Sequence, residues 1–286
     1  MVGKTSVFRL ALAKLLYLNA VETGTIVERV VSVHNLDLAI EIALKTVATE
    51  LNVNLPNSVN FPTLWKLVEK QYYPKYHKAL PSKSDIFTIH DKRNSVQHHG
   101  SVPSDTDLKQ FKSYAFGFLN EIFVTMTGLH FDHIFLSSLV DNVELRQTME
   151  LAERDISSDP KASMSASMRS FMWGKILAQR HLGYFDPTLG AFNLQDKLQR
   201  DMRAPVREVA KQIVDRLFML ELGIDTVTYD RINKIAPFPL LEAGITNPAG
   251  VKLADTLPSN YTKDNAWTCY NFVLEAILRW QDRRML

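Results

Sequence analysis

The sequence predicts an all-α protein, and three observations carry that expectation. Apolar residues recur at three- and four-residue spacing through most of the chain. Alternating strand patterns are nearly absent. Prolines, glycines and asparagines fall mainly where the periodic segments stop. With 286 residues, 46% hydrophobic and 22% charged, the chain is long and apolar enough for one large domain or two modest ones.

The elements follow in order. Residues 4–22 read as one amphipathic helix ended near Gly24, and residues 26–52 as a second, with Leu36, Ile40, Ala43, Leu44, Val47 and Leu51 as its apolar stripe. Pro62 suits the first turn of a third helix, "FPTLWKLVEKQYY", which Pro74 is expected to close. A fourth helix spans roughly 84–99, with Gly100 at its C-terminal stop. Ser104 or Asp105 then caps a fifth that runs to about 127.

Further on, "HIFLSSLVDNVELRQTMELAERDI" is helical with a break near Asp141, and "SSDPKAS" is a loop before a helix through Arg180. "GYFDPTLGAFN" is turn-rich, and residues 195–222 form a long helix kinked or divided at Pro205. Residues 237–263 read as irregular, and a last helix covers about 265–284. The expected organisation is a helical bundle over 1–135 followed by a helical region, 136–286, whose role the sequence does not specify.

Composition excludes several classes. A net charge of +2 gives no global polycationic field for nucleic acid, so any such partner needs a local site. Cys269 is the only cysteine, which rules out an intrachain disulfide and a cysteine-based zinc site. "SVFRLALAKLLYLNAV" at 6–21 resembles a signal peptide only superficially. Arg9 and Lys14 interrupt it, and no small-residue cleavage site follows. Without a stretch of about 18 apolar residues, no membrane span is expected, and the expected location is the cytoplasm.

One stretch departs from ordinary helical core: "HDKRNSVQHHG", residues 90–100. At about 100° per residue, Ile86, Ile89, Val96 and Gly100 share one side, with Arg93 in their midst. Phe87, Asp91, Asn94 and His98 line an adjacent face. A guanidinium among apolar neighbours requires an anionic partner. Arg93 therefore either makes a buried ion pair or leans across toward His98. The second arrangement would suit RNA cleavage by 2′-hydroxyl attack. An imidazole with a pKa near 6.5 moves the protons, the guanidinium holds the charge gathering on phosphorus-bound oxygens, and Asn94 orients the ring or binds a phosphate oxygen. This chemistry requires no metal or cofactor.

"IHDKRNSVQHHGSVPS" resembles the signature of the HEPN superfamily, an Arg followed after four to six residues by His, often with Asn after the Arg. The similarity extends over roughly residues 4–130, including the order of helices before the motif. The resemblance implies a helical bundle that usually dimerises, bringing two motifs into one cleft, and a metal-independent endoribonuclease used in defence or toxin systems. It implies Arg93, Asn94 and His98 as the catalytic set, an RNA substrate, a homodimer and a possible regulatory protein partner. Other members of the superfamily keep the fold as non-catalytic RNA-binding or dimerisation modules. One departure is informative: a subgroup controlled by nucleotidyltransferase antitoxins has Tyr two residues after the His, and Gly100 stands there instead. His99 also satisfies the permitted spacing but points about 100° from His98.

Asp91 is a supporting acidic candidate, because it shares a face with His98. Glu41 is a weaker one, placed where an acidic residue would approach the motif of a HEPN-like bundle, and an exposed Glu41–Lys45 pair at four-residue spacing is the favoured explanation. The remaining signals are weaker. "GKTS" at 3–6 lacks the upstream glycine and strand of a phosphate-binding loop. "RVVSVH" at 29–34 repeats the Arg–His spacing without the Asn and reads as coincidence. His130 and His133 in "HFDH" make an incomplete metal site. Trp65, Tyr72, Tyr73 and Tyr76 have the spacing of core aromatics or of a base-stacking platform. Lys197, Arg200, Arg203, Arg207 and Lys211 form a basic stripe, interrupted by Asp196, Asp201 and Glu208, that reads as a solvated ion-pair face.

Overall fold

The second helix expected from the sequence becomes the one around which the first half of the chain packs. The structure, a computed structural model, describes residues 3–181, 216–217, 219–240 and 247–286, and among them the fold is all-α apart from one short ribbon. The chain divides into two compact units, Met1–Ser138 and Leu139–Leu286.

In the first unit, α1 (Lys4–Asn19), α3 (Phe61–Tyr76), α4 (Lys83–His99) and α5 (Asp105–Thr127) all pack on α2 (Ile26–Glu50). Thr25 and Glu28 start α2 with a capping box, which satisfies two amide groups that the helix itself leaves open. Its buried face contains Leu36, Ile40, Ala43, Leu44 and Val47 of the expected stripe, whereas Leu51 is the half-buried C-cap. The face is wider than expected, taking in Ser32, Val33, Ala39, Thr46, Ala48 and one acid, Asp37. Ser104, not Asp105, caps α5, again in a capping box, here with Asp107.

Two boundaries differ from expectation. Helix α1 stops at Asn19, before Gly24, because Ala20 turns extended. Helix α3 runs through Pro74 and closes at His77, which adopts φ 54°. A proline this close to the end deletes only one bond of the helical ladder, so the last turn survives it.

In the second unit, Asn142 caps α6 (Val143–Asp155), accounting for the break expected near Asp141. The loop expected at "SSDPKAS" is shorter than read: only its first three residues lie outside a helix, and α7 (Pro160–His181) starts at its proline and packs on α6. Helix α8 (Thr226–Ile235) was not anticipated; Asp225 starts it by accepting from the amides of Val227 and Thr228. Helix α9 (Lys263–Asp282), capped by Thr262, packs on α7 and α6. The stretch read as irregular contains an antiparallel ribbon, β1 (Phe238–Leu240) with β2 (Lys252–Ala254), in the register Phe238 to Ala254. The turn-rich segment after His181, the helix expected over 195–222 except its final residues, and the whole basic stripe Lys197–Lys211 lie outside the described residues.

Among the described residues no helix is long and apolar enough to cross a membrane.

Candidate functional site

The quoted motif occupies the second half of α4, and the fold anchors that half at three points. Ile86, Ile89 and Val96 are buried against the bundle, as their spacing predicts. Gly100 ends the helix at φ 63°, where its amide reaches back to Ser95 and Val96. Lys92 approaches Asp107 at 3.8 Å, tying the end of α4 to the start of α5.

At the centre of the site is a residue the sequence did not single out. Asp37 projects from α2 with its side chain only 3% exposed. An isolated carboxylate at that depth is costly, and two groups on α4 answer it. His90 Nδ1 lies 3.0 Å from Asp37 Oδ1, and Arg93 Nε lies 3.4 Å from Asp37 Oδ2. His90 and Arg93 are three apart, so both leave α4 on the same side and straddle one carboxylate. Phe61, at the start of α3, stacks on the His90 imidazole with ring centres 4.4 Å apart and planes 16° apart, which holds the ring in place. Arg93 Nη1 donates to Asn94 Oδ1 at 3.0 Å.

The structure therefore brings Arg93 and Asn94 together and adds Asp37 and His90. Arg93 takes the ion-pair alternative. The imidazoles of His98 and His99 are exposed near the end of α4, with ring centres 6.5 Å apart. Asp91 is exposed on the same helix. The acidic residue that approaches the motif from α2 is Asp37, and Glu41 instead pairs with Lys45 at 2.6 Å. The reason is angular: Glu41 lies one turn beyond Asp37 and about 40° further round, at the edge of the buried face.

A signal for Asp37 existed. It sits between Val33 and Ile40, at the −4 and +3 positions of an otherwise apolar face, where an acid demands a cation. His90 likewise precedes Arg93 by one turn on the buried side of α4.

The other sequence signals are placed as follows. Arg29 of "RVVSVH" meets Asp105 at 3.7 Å. His130 and His133 are exposed with ring centres 6.2 Å apart, and among the described residues no group of three or more His, Cys, Asp or Glu is placed to hold a metal ion. Trp65 and Tyr72 are fully buried, whereas Tyr73 is 61% exposed.

Chemically, the cluster holds a guanidinium at a fixed angle from behind. Asp37 takes Nε and Asn94 takes Nη1, and among the described residues nothing engages the remaining N–H groups of Arg93, which is 32% exposed. An arginine held this way can present its fork to a phosphate without first losing side-chain entropy. No family model matches the chain, and no curated protein or solved structure is found to be similar to it.

Proposed function

We propose that this protein is a metal-independent endoribonuclease of the HEPN type, acting in the cytoplasm as a homodimer in a defence or toxin-like response. The observation that supports it is the Arg93 guanidinium, gripped by the buried Asp37 and by Asn94 with part of its fork turned to solvent. In this reading a phosphodiester lies against Arg93. The 2′-oxygen attacks phosphorus, the bond to the 5′-oxygen breaks, and a 2′,3′-cyclic phosphate forms. One imidazole accepts the 2′-hydroxyl proton and a protonated imidazole supplies one to the departing 5′-oxygen. The exposed His98 fills one of these roles, and pairing of two chains brings a second His98 for the other. Arg93 offsets the charge that grows on the non-bridging oxygens.

A second reading has an observation of its own. The Asp37–Arg93 ion pair and the 3.0 Å contact of His90 with the same carboxylate are what a purely structural motif would make, which favours a non-catalytic HEPN-fold interaction module. Incubating the protein with labelled RNA in excess chelator separates the two. Because His98 is exposed, His98→Ala should leave the melting temperature unchanged. Loss of cyclic-phosphate products in that variant, with melting unaltered, supports the enzyme. Intact RNA with the unmodified protein, together with Arg93→Ala that merely melts earlier, leaves the module.

A further inference from the structure

Helix α3 divides its residues sharply. Phe61, Leu64, Trp65, Val68 and Tyr72 are buried in the bundle, while Lys66, Lys70 and Tyr73 occupy the opposite side and are exposed. These last three stand at i, i+4 and i+7, within an arc of about 60°.

Charge is concentrated here. Residues 61–83 hold five lysines and one glutamate, whereas the whole chain has 33 basic and 31 acidic residues. The remainder of the chain is thus slightly acidic, and this segment is strongly basic. Its one acid is already neutralised, since Glu69 pairs with Lys83 at 3.0 Å, and Lys78 is taken by Glu121 at 3.2 Å. Lys66, Lys70 and Lys75 have no ion-pair partner among the described residues. Like charges four apart on a helix repel, so the stripe carries a small standing cost that a polyanion would relieve. Tyr73, 61% exposed and without a ring contact among the described residues, adds a flat stacking surface on the same face.

We propose that the outer face of α3 is a binding surface for single-stranded RNA, with Lys66 and Lys70 on successive phosphates and a base stacked on Tyr73. Lysines along one helix face follow a phosphate backbone, and an exposed aromatic ring accepts any unpaired base. A duplex offers no free base face to Tyr73. An anionic membrane fits less well, because a membrane-surface helix turns its apolar side to lipid, and that side of α3 is buried in protein. The ligand class rests on the ribonuclease reading above, but binding here is measured without cleavage.

The test uses the full chain carrying His98→Ala, so that RNA remains intact, and fluorescence anisotropy with a short labelled single-stranded RNA. The paired change Lys66→Glu, Lys70→Glu should weaken binding at least about tenfold and flatten its salt dependence by about two phosphate contacts. Tyr73→Ala should weaken it at least about fivefold, and Tyr73→Phe should restore it. Unaltered affinity in the charge-reversed protein overturns the proposal, as does equally tight binding of duplex RNA. Charge-dependent uptake by phosphatidylserine vesicles without RNA binding would reassign the surface to membranes. RNA cleavage that persists when the α3 substitutions are placed in the protein retaining His98, with binding also unchanged, sinks this surface and leaves the nuclease. RNA binding lost through α3 in a protein that never cleaves does the reverse.

Discussion

The two compact units differ in the polar groups around which their helices pack. In Met1–Ser138 the interior accepts a charge and answers it: Asp37 is held by His90 and Arg93, and Lys14, nearly buried, donates to the carbonyls of Asp132 and Ile134. In Leu139–Leu286 the interior relies on small residues. Helix α7 buries Ser163, Ser167 and Ser170, whose hydroxyls have no hydrogen-bond partner among the described residues. One turn further, a Cβ on Gly174 would meet Trp280 of α9 at 2.8 Å. Several larger polar groups there do find partners, with Trp173 donating to Glu144, Tyr270 to Glu153 and Trp280 to the Leu222 carbonyl, while Arg169 Nε and Asn233 Oδ1 have no hydrogen-bond partner among the described residues. A buried ion pair orients specific groups, while a small-residue seam lets two helices approach closely. The first arrangement suits a site and the second suits a scaffold.

Four substitutions test that contrast, beginning with the largest expected effect. Asp37→Ala leaves Arg93 and His90 without their shared partner, and thermal or urea unfolding should show a loss of about 2–3 kcal/mol. That lies below the range for fully buried pairs because Arg93 can still reach water. A loss under about 0.5 kcal/mol would mean that the carboxylate is not structurally committed.

Gly174→Val pushes a branched side chain into Trp280, and a cost of about 1–3 kcal/mol is expected. Cys269 reports where the damage falls. Burial pushes its thiol up to about 12, so the folded protein should resist alkylation near neutral pH, and the variant should be labelled faster. Unchanged labelling and stability would show that the α7–α9 seam has slack.

Ser104→Ala removes the capping box of α5, for a loss of about 1 kcal/mol. The Ser104 amide and hydroxyl, together with Lys92, hold the Asp107 carboxyl below its ordinary value of 3.8. That contribution is therefore fully present above the unfolded pKa and is lost as pH falls through the lower folded one. The backbone amide of residue 104 still donates to the Asp107 carboxylate in this variant, so the gap to the parent should narrow only slightly in acid. A gap that vanishes there would refute assigning the loss to the bond from the Asp107 amide to the Ser104 hydroxyl.

The smallest effect is expected at Ser167→Ala. Removing a buried hydroxyl with no partner should be neutral or slightly stabilising, by up to about 1 kcal/mol. A clear loss of stability would reveal a hydrogen bond and blunt the contrast between the units.

Much of the fold was legible because it is written in short-range terms. Gly100 after a periodic run, Ser104 before one, and the Leu36–Val47 stripe each depend on residues within a turn or two. Pro74 misled because the same residue that breaks a helix interior is tolerated within its last turn. The candidate site was legible only in part. Arg93 had to find an anion, and its helical position established that need. Which anion it found was a different matter, since Glu41 and Asp91 were as plausible by type as Asp37.

Local periodicity, caps and composition thus determined by themselves that the chain is helical, where most helices of its first half begin and end, and that one arginine would need a negative partner. Only the tertiary structure decided that this partner is Asp37, shared with a histidine 53 residues away in sequence, and that Tyr73 faces outward while Tyr72 is buried. The physical reason is range. Hydrogen bonds along a helix and side-chain periodicity act over a few residues, whereas the pairing of a buried charge depends on which helices the whole bundle packs side by side.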